Sequence, residues 1–153
     1  MGTCDIFLAA NLSTGKVLCD ISDSHKGEDF NAWLQRIRDS VPLDKTIILI
    51  MDNHSSHLTS QNMEYLLDAK NKFEIVLTPV HGSWLDPSES YLSILSKQVL
   101  AKSRFENKDK LRSAVKDWAE RRRRKHRFSF FATDYRRLKN MYNDDVNECK
   151  QRA

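Results

Sequence analysis

The sequence predicts an α/β domain, a mixed sheet with helices packed on it. Three observations point there: apolar runs of strand length alternate with stretches of helical period, two strands joined by a turn open the chain, and a run hydrophobic at nearly every position lies between helical segments. The resulting order is β-β-α-β-α-β-α-α-α.

DIFLAA (5–10) and VLCDI (17–21) flank NLSTGK, whose Thr14-Gly15 pair favours a turn, so the opening is a β-hairpin. EDFNAWLQRIRDSV follows with Phe30, Trp33, Leu34, Ile37 and Val41 on one face of an amphipathic helix, ended by Pro42. TIILIM (46–51) is apolar almost throughout and β-branched at several positions, which predicts a central strand covered on both faces. Thr59 or Ser60 can then cap a helix that turns Met63, Leu66 and Leu67 inward. KFEIVLTP (72–79) is the next strand, stopped by Pro79. HGSWLDPSES leads into a helix with Leu92, Leu95 and Val99 inward. NKDKLRSAVKDWAE forms another, with Leu111, Ala114, Val115 and Trp118 on one face, and TDYRRLKNMY a last one carrying Tyr135, Leu138 and Met141 or Tyr142. One domain over 1–143, followed by a polar tail over 144–153, accounts for the chain, with no repeat or linker to divide it.

Composition narrows the function classes. An apolar share of 40% with 30% charged residues suits a folded globular chain rather than a disordered one. No apolar stretch approaches the roughly 18–20 residues of a membrane span. Cys4, Cys19 and Cys149 are odd in number and match no metal-ligand spacing, so reduced thiols in a cytosolic setting are expected. The net charge of +4 is mild, but ERRRRKHR concentrates Arg121, Arg122, Arg123, Arg124, Lys125 and Arg127 in one block. Such a block favours a polyanion, because neutralised phosphates release condensed counterions. It also suits a helix C-terminus, where cations complement the macrodipole.

Two acids attract chemical interest. Asp52 ends the central strand in IILIMDNHSSH, and Glu89 opens a helix after the next strand in LTPVHGSWLDPSES. Open α/β sheets collect chemistry beyond the carboxyl ends of their strands, so both acids are expected on one rim, within reach of a shared divalent cation. Carboxylate donors suit Mg²⁺ or Mn²⁺. Plainer readings stand beside this one. Asp52 can simply terminate a strand. Asp86-Pro87-Ser88-Glu89 has the pattern of a capping box, with Asp at the cap, Pro at the first helical position and Glu at the third.

These two stretches resemble the second and third acidic motifs of DDE transposases, specifically the mariner-like superfamily and its bacterial insertion-sequence branch. The matching residues are Asp52-Asn53 with His57, then Thr78-Pro79 and Trp84-Leu85-Asp86-Pro87 with Glu89. The hairpin segment and the stretches RFENKDKLRSAVKDW and FSFFATDYRRLKNMY are similar to flanking parts of that family. The resemblance implies a ribonuclease-H-like fold and a metal-dependent DNA cleavage and strand-transfer activity, with Asp52 and Glu89 as catalytic metal ligands. Asn53, His57, Trp84 and Asp86 would line the site, and the Arg121–Arg127 block would contact DNA. Asp86 stands where Asn is usual, Ser88 where an apolar residue is usual, and Ser90-Tyr91 where Arg and an aromatic are usual.

The first acidic residue of the family lies on a strand ahead of the hairpin, with a DNA-recognition region further upstream. The sequence given begins at the hairpin, so the resemblance implies a partial catalytic domain, inactive by itself and lacking one strand and one ligand. Asp5 and Asp20 are the only acids on the opening strands. The expected partners are DNA and either a second copy or a full-length transposase, with no membrane. The expected setting is the cytoplasm, at the nucleoid in a bacterial host. A non-catalytic DNA-binding or regulatory remnant is the alternative.

Overall fold

The structure is a computed structural model describing residues 4–78, 87–102 and 104–123, without the side chains at 87, 89, 90 and 123. The expected last helix and the tail over 144–153 lie outside the described residues.

Strands β1 (Asp5–Ala10) and β2 (Val17–Ser22) form the expected antiparallel hairpin, with Asp5 opposite Ser22 and Ala10 opposite Val17. Its turn is built by Asn11, whose side-chain oxygen accepts the amides of Ser13 and Thr14 at 3.0 Å each. Gly15, at φ 71°, supplies the left-handed residue that lets the chain reverse. Helix α1 (Gly27–Asp39) buries Phe30, Trp33, Leu34 and Ile37, the stripe its period predicts. The Asp29 carboxylate accepts the Lys26 amide and the hydroxyls of Ser22 and Ser24, tying the helix start to the end of β2.

Strands β3 (Ile47–Met51) and β4 (Phe73–Leu77) pair in parallel, joined through α2 (Ser60–Leu67). Thr59 caps α2, its hydroxyl accepting the Asn62 amide at 3.4 Å. Helix α3 (Pro87–Leu95) starts at the proline, as the sequence predicts, and continues as a π-helical turn over Ser96–Leu100 before α4 (Lys108–Arg123). The hairpin is covered on both sides. Val17, Cys19 and Ile21 of β2 pack with Tyr91, Leu95, Val115 and Trp118 from α3 and α4. On the other side Phe7 packs with the α1 stripe, Met51 and Leu66.

Three expectations are corrected. Among the described residues the strands form two separate two-stranded ladders, not one mixed sheet. No described strand lies between the outer edges of β1 and β3, which flank a cleft of about 600 Å³. For the same reason β3 is not covered throughout: Ile48 is 41% exposed and lines the cleft. Two leucines expected inward are not: Leu67 is 70% exposed, because it sits a full helical step around from the buried Leu66 on the last turn of a short helix, and Leu92 of α3 is 36% exposed where it lines the cleft.

Backbone pairing defines the walls of the cleft. In the parallel ladder the Ile47 amide donates to Lys72 and the Thr78 amide donates to Met51. Alternation then turns the backbone groups of Ile48 and Ile50 away from β4 and toward the cleft. On β1, the hydrogen-bonded Asn11–Lys16 pair sets the alternation that turns Ile6, Leu8 and Ala10 to the same space.

Candidate functional site

The apolar strand β3 delivers Asp52 to the rim of this cleft. Its carboxylate, 58% exposed, accepts the His54 amide at 3.3 Å, an Asx-type turn that redirects the chain. The turn is closed by the His57 amide donating to the His54 carbonyl at 2.9 Å. The fully buried Asn62 of α2 holds it from below, donating from its side-chain amide to the Ser56 carbonyl at 2.9 Å.

His57 is folded inward over this turn and stacks on Phe30 with ring centres 4.0 Å apart. Its Nδ1 is 2.8 Å from Asp52 Oδ1, but the ring N–H is out of line with that oxygen. The nitrogen is therefore buried beside a carboxylate with no aligned hydrogen-bond partner. Burial lowers the proton affinity of His57; the Asp52 charge opposes this, and the net shift is downward, so the neutral ring is favoured.

Ser88 and Leu92 of α3 line the same cleft as Asp52 and His57. Glu89 belongs to the first turn of that helix, while its side chain lies outside the described part. Asn53 is exposed beside Asp52. Trp84 and Asp86 lie outside the described residues, as do Arg124, Lys125 and Arg127. Arg121 is exposed near the end of α4, and Arg123 ends that helix with its side chain undescribed. Arg122 is half-buried, its guanidinium 5.7 Å from the Trp118 ring centre and 6.0 Å from that of Tyr91, so it serves packing.

Neither acid of the hairpin joins Asp52 in a cluster of three ligand-bearing side chains among the described residues. Asp20 is instead held by Arg36, by Arg112 at 3.4 Å and by Lys116 at 3.3 Å. One residue that sequence reasoning missed adjoins the site. His25, in the loop between β2 and α1, stacks on Phe7 and lies with its ring centre 5.1 Å from His54 and 5.7 Å from His57. No motif spacing marks it. It is brought in by the close approach of Gly27 to Thr59, where a Cβ on Gly27 would stand 2.6 Å from the Thr59 methyl.

The chain matches the family model of the DDE superfamily endonucleases over residues 1–112, a span that includes Asp52, His57 and Glu89. The chain belongs to that family. It is also 31% identical over 81 residues to the uncharacterised 39 kDa protein of insertion element IS630 from Shigella sonnei. That alignment covers 53% of this chain and 23% of the relative, so the chain spans only part of the protein it resembles. Membership of the DDE family agrees with the acidic motifs, and DDE endonuclease domains use divalent metal ions. No helix among the described residues is long and apolar enough to cross a membrane.

Proposed function

We propose that this DDE endonuclease chain is the catalytic-domain portion of a transposase of the mariner-like, insertion-sequence type, with a ribonuclease-H-like fold and DNA as its substrate. The observation that carries this reading is the delivery of Asp52, by an apolar strand, to the rim of a cleft also lined by the first turns of the helix bearing Glu89. The donor chemistry fits a hard divalent cation: Asp52 is exposed on that rim, and among the described residues its carboxylate accepts the His54 amide and has the His57 ring nitrogen beside it at 2.8 Å. Asp52 and Glu89 would hold Mg²⁺ or Mn²⁺, which when bound activates an attacking oxygen and stabilises a leaving one in phosphodiester displacement. From the family resemblance, Asp52 and the His57 ring would orient the phosphate, Asn53 and Asp86 would line the site, and Trp84 would stack on a displaced base. Arg121, with Arg123, Arg124, Lys125 and Arg127, grips the DNA backbone.

A strand carrying the family's first acid belongs, in this reading, in the cleft between β1 and β3. Support comes from the backbone rows of Ile6, Leu8 and Ala10 on one side and Ile48 and Ile50 on the other, which pair with no strand among the described residues. A strand between them would join both ladders into one mixed sheet and present its own acid beside Asp52. A further segment of polypeptide, of the same protein or of a full-length transposase, can supply it by adding a strand to these edges.

The chain by itself should then nick supercoiled plasmid feebly or not at all with Mg²⁺ or Mn²⁺. Robust nicking that Asp52→Ala abolishes would overturn the inactivity and require a substitute acid. The exposed Arg121 at the end of α4 favours a second reading, a non-catalytic DNA-binding remnant. Its signature is binding that weakens steeply with salt and is indifferent to Asp52→Ala and Glu89→Gln.

A further inference from the structure

Three imidazoles converge beside the proposed cleavage site. His25 comes from the β2–α1 loop, and His54 and His57 from the turn after β3. One ring nitrogen from each lies within 4.8 Å of the other two. We propose that His25, His54 and His57 form a binding site for a borderline divalent transition metal ion, Zn²⁺ being the natural probe. The proposal does not rest on the transposase reading; it concerns a nitrogen-donor site chemically distinct from a carboxylate-held magnesium site.

Three independent features support it. The rings converge from two loops that are separately anchored: Asn62 and the Asp52 turn fix one, and the Gly27–Thr59 contact fixes the other. The ring orientations are set by aromatic neighbours, Phe7 under His25 and Phe30 under His57, so little rotamer freedom is lost when a ligand is held. His57 Nδ1 lies 2.8 Å from the Asp52 carboxylate, a neighbour that favours the proton on that nitrogen and leaves the lone pair on Nε2.

Ser56 steadies the His54 ring: its amide donates to His54 Nδ1 at 3.3 Å and its hydroxyl lies 2.8 Å from the same nitrogen. Tetrahedral Zn²⁺ with bonds near 2.0–2.1 Å sets ligand nitrogens roughly 3.4 Å apart, so modest ring rotations close the present spacing. Three imidazoles leave a fourth position for water. Nitrogen donors prefer Zn²⁺ over Mg²⁺, which takes oxygen and keeps its waters.

The test is a Zn²⁺ titration of the full chain by calorimetry or by competition with a chromophoric chelator, in excess Mg²⁺. Saturable binding of one ion is expected, undisturbed by Mg²⁺ and unchanged in Glu89→Gln, a substitution confined to the proposed cleavage site. His25→Ala and His54→Ala, both at exposed positions where folding should survive, should each weaken binding at least tenfold. Co²⁺ substitution should give ligand-field bands without thiolate charge transfer, since no cysteine belongs to the cluster. Absence of saturable binding, affinity that neither histidine substitution changes, or a thiolate band would each overturn the site. The outcome of the plasmid-nicking assay, whichever way it falls, bears on the transposase reading alone.

Discussion

Asp20 shows what one side chain can be committed to. It sits on β2 between α1 and α4 and is 13% exposed, facing Arg36, Arg112 and Lys116. Burial raises its pKa, but hydrogen bonds from Arg36, the Ile21 amide and Lys116 outweigh that, and the net shift is below the ordinary carboxylate value of 3.8. The folded state therefore binds this proton less readily than the unfolded one. The stabilisation is fully present above about pH 4 and lost as pH falls through the lower, folded value. Asp20→Asn should cost about 1–2 kcal/mol in urea melts at pH 7, discounted because its partners are partly solvated, and much less near pH 2. A cost independent of pH would show that the charge is not the stabilising feature. Next to it, burial pushes the Cys19 thiol up to about 12. In the folded protein Cys4 should react with a thiol reagent and Cys19 should not until the chain unfolds.

Elements are positioned by contacts that hydrophobic period does not reveal. Arg38 falls outside the apolar stripe of α1 yet is buried, because its guanidinium donates to four carbonyls: Lys45 at 3.1 Å, Asn71 at 2.9 Å, Val41 at 3.0 Å and Pro42 at 2.8 Å. This cation fastens the ends of α1, β3 and the α2–β4 turn together. Arg38→Met keeps much of the volume but strands buried acceptors, and should lower unfolding free energy by about 2–4 kcal/mol. Gly27 acts by size. Gly27→Ala should cost about 1–2 kcal/mol by overpacking against Thr59, and Thr59→Ser, which keeps the cap hydroxyl and removes the methyl, should restore most of it. If the double variant is no better than the single, the close approach is not what Gly27 serves.

At the scale of the whole molecule, two ladders packed through shared helices leave facing edges along one cleft. Native-state hydrogen exchange tests this directly. The amides of Ile48 and Ile50, turned into the cleft, should exchange much faster than those of Leu49 and Met51, which bond to β4. Addition of a polypeptide that inserts a strand should protect Ile48 and Ile50 together with Ile6 and Leu8. Equal protection along β3 without a partner would mean the edge is already paired. The same open edge bears on handling of the protein, since unpaired strand edges template association between chains.

Much of the architecture was legible locally. The Phe30–Ile37 stripe, the Thr59 cap, the proline start of α3 and the run into Asp52 each express a short-range rule: helical period, an orphan amide to cap, a missing N–H, a polar stop to an apolar strand. The family followed from the motifs built on those elements. Three things required the folded chain. Ile48 reads as core and is half-solvated, because coverage depends on whether a neighbouring strand is present. Arg38 reads as surface and is buried, because its carbonyl partners come from separate turns. His25 carries no signal beside His54 and His57, since its nearness to them depends on two loops meeting where a glycine permits contact. Pattern along a chain encodes what each element is; distance between elements depends on packing, and the grouping of site residues depends on that distance.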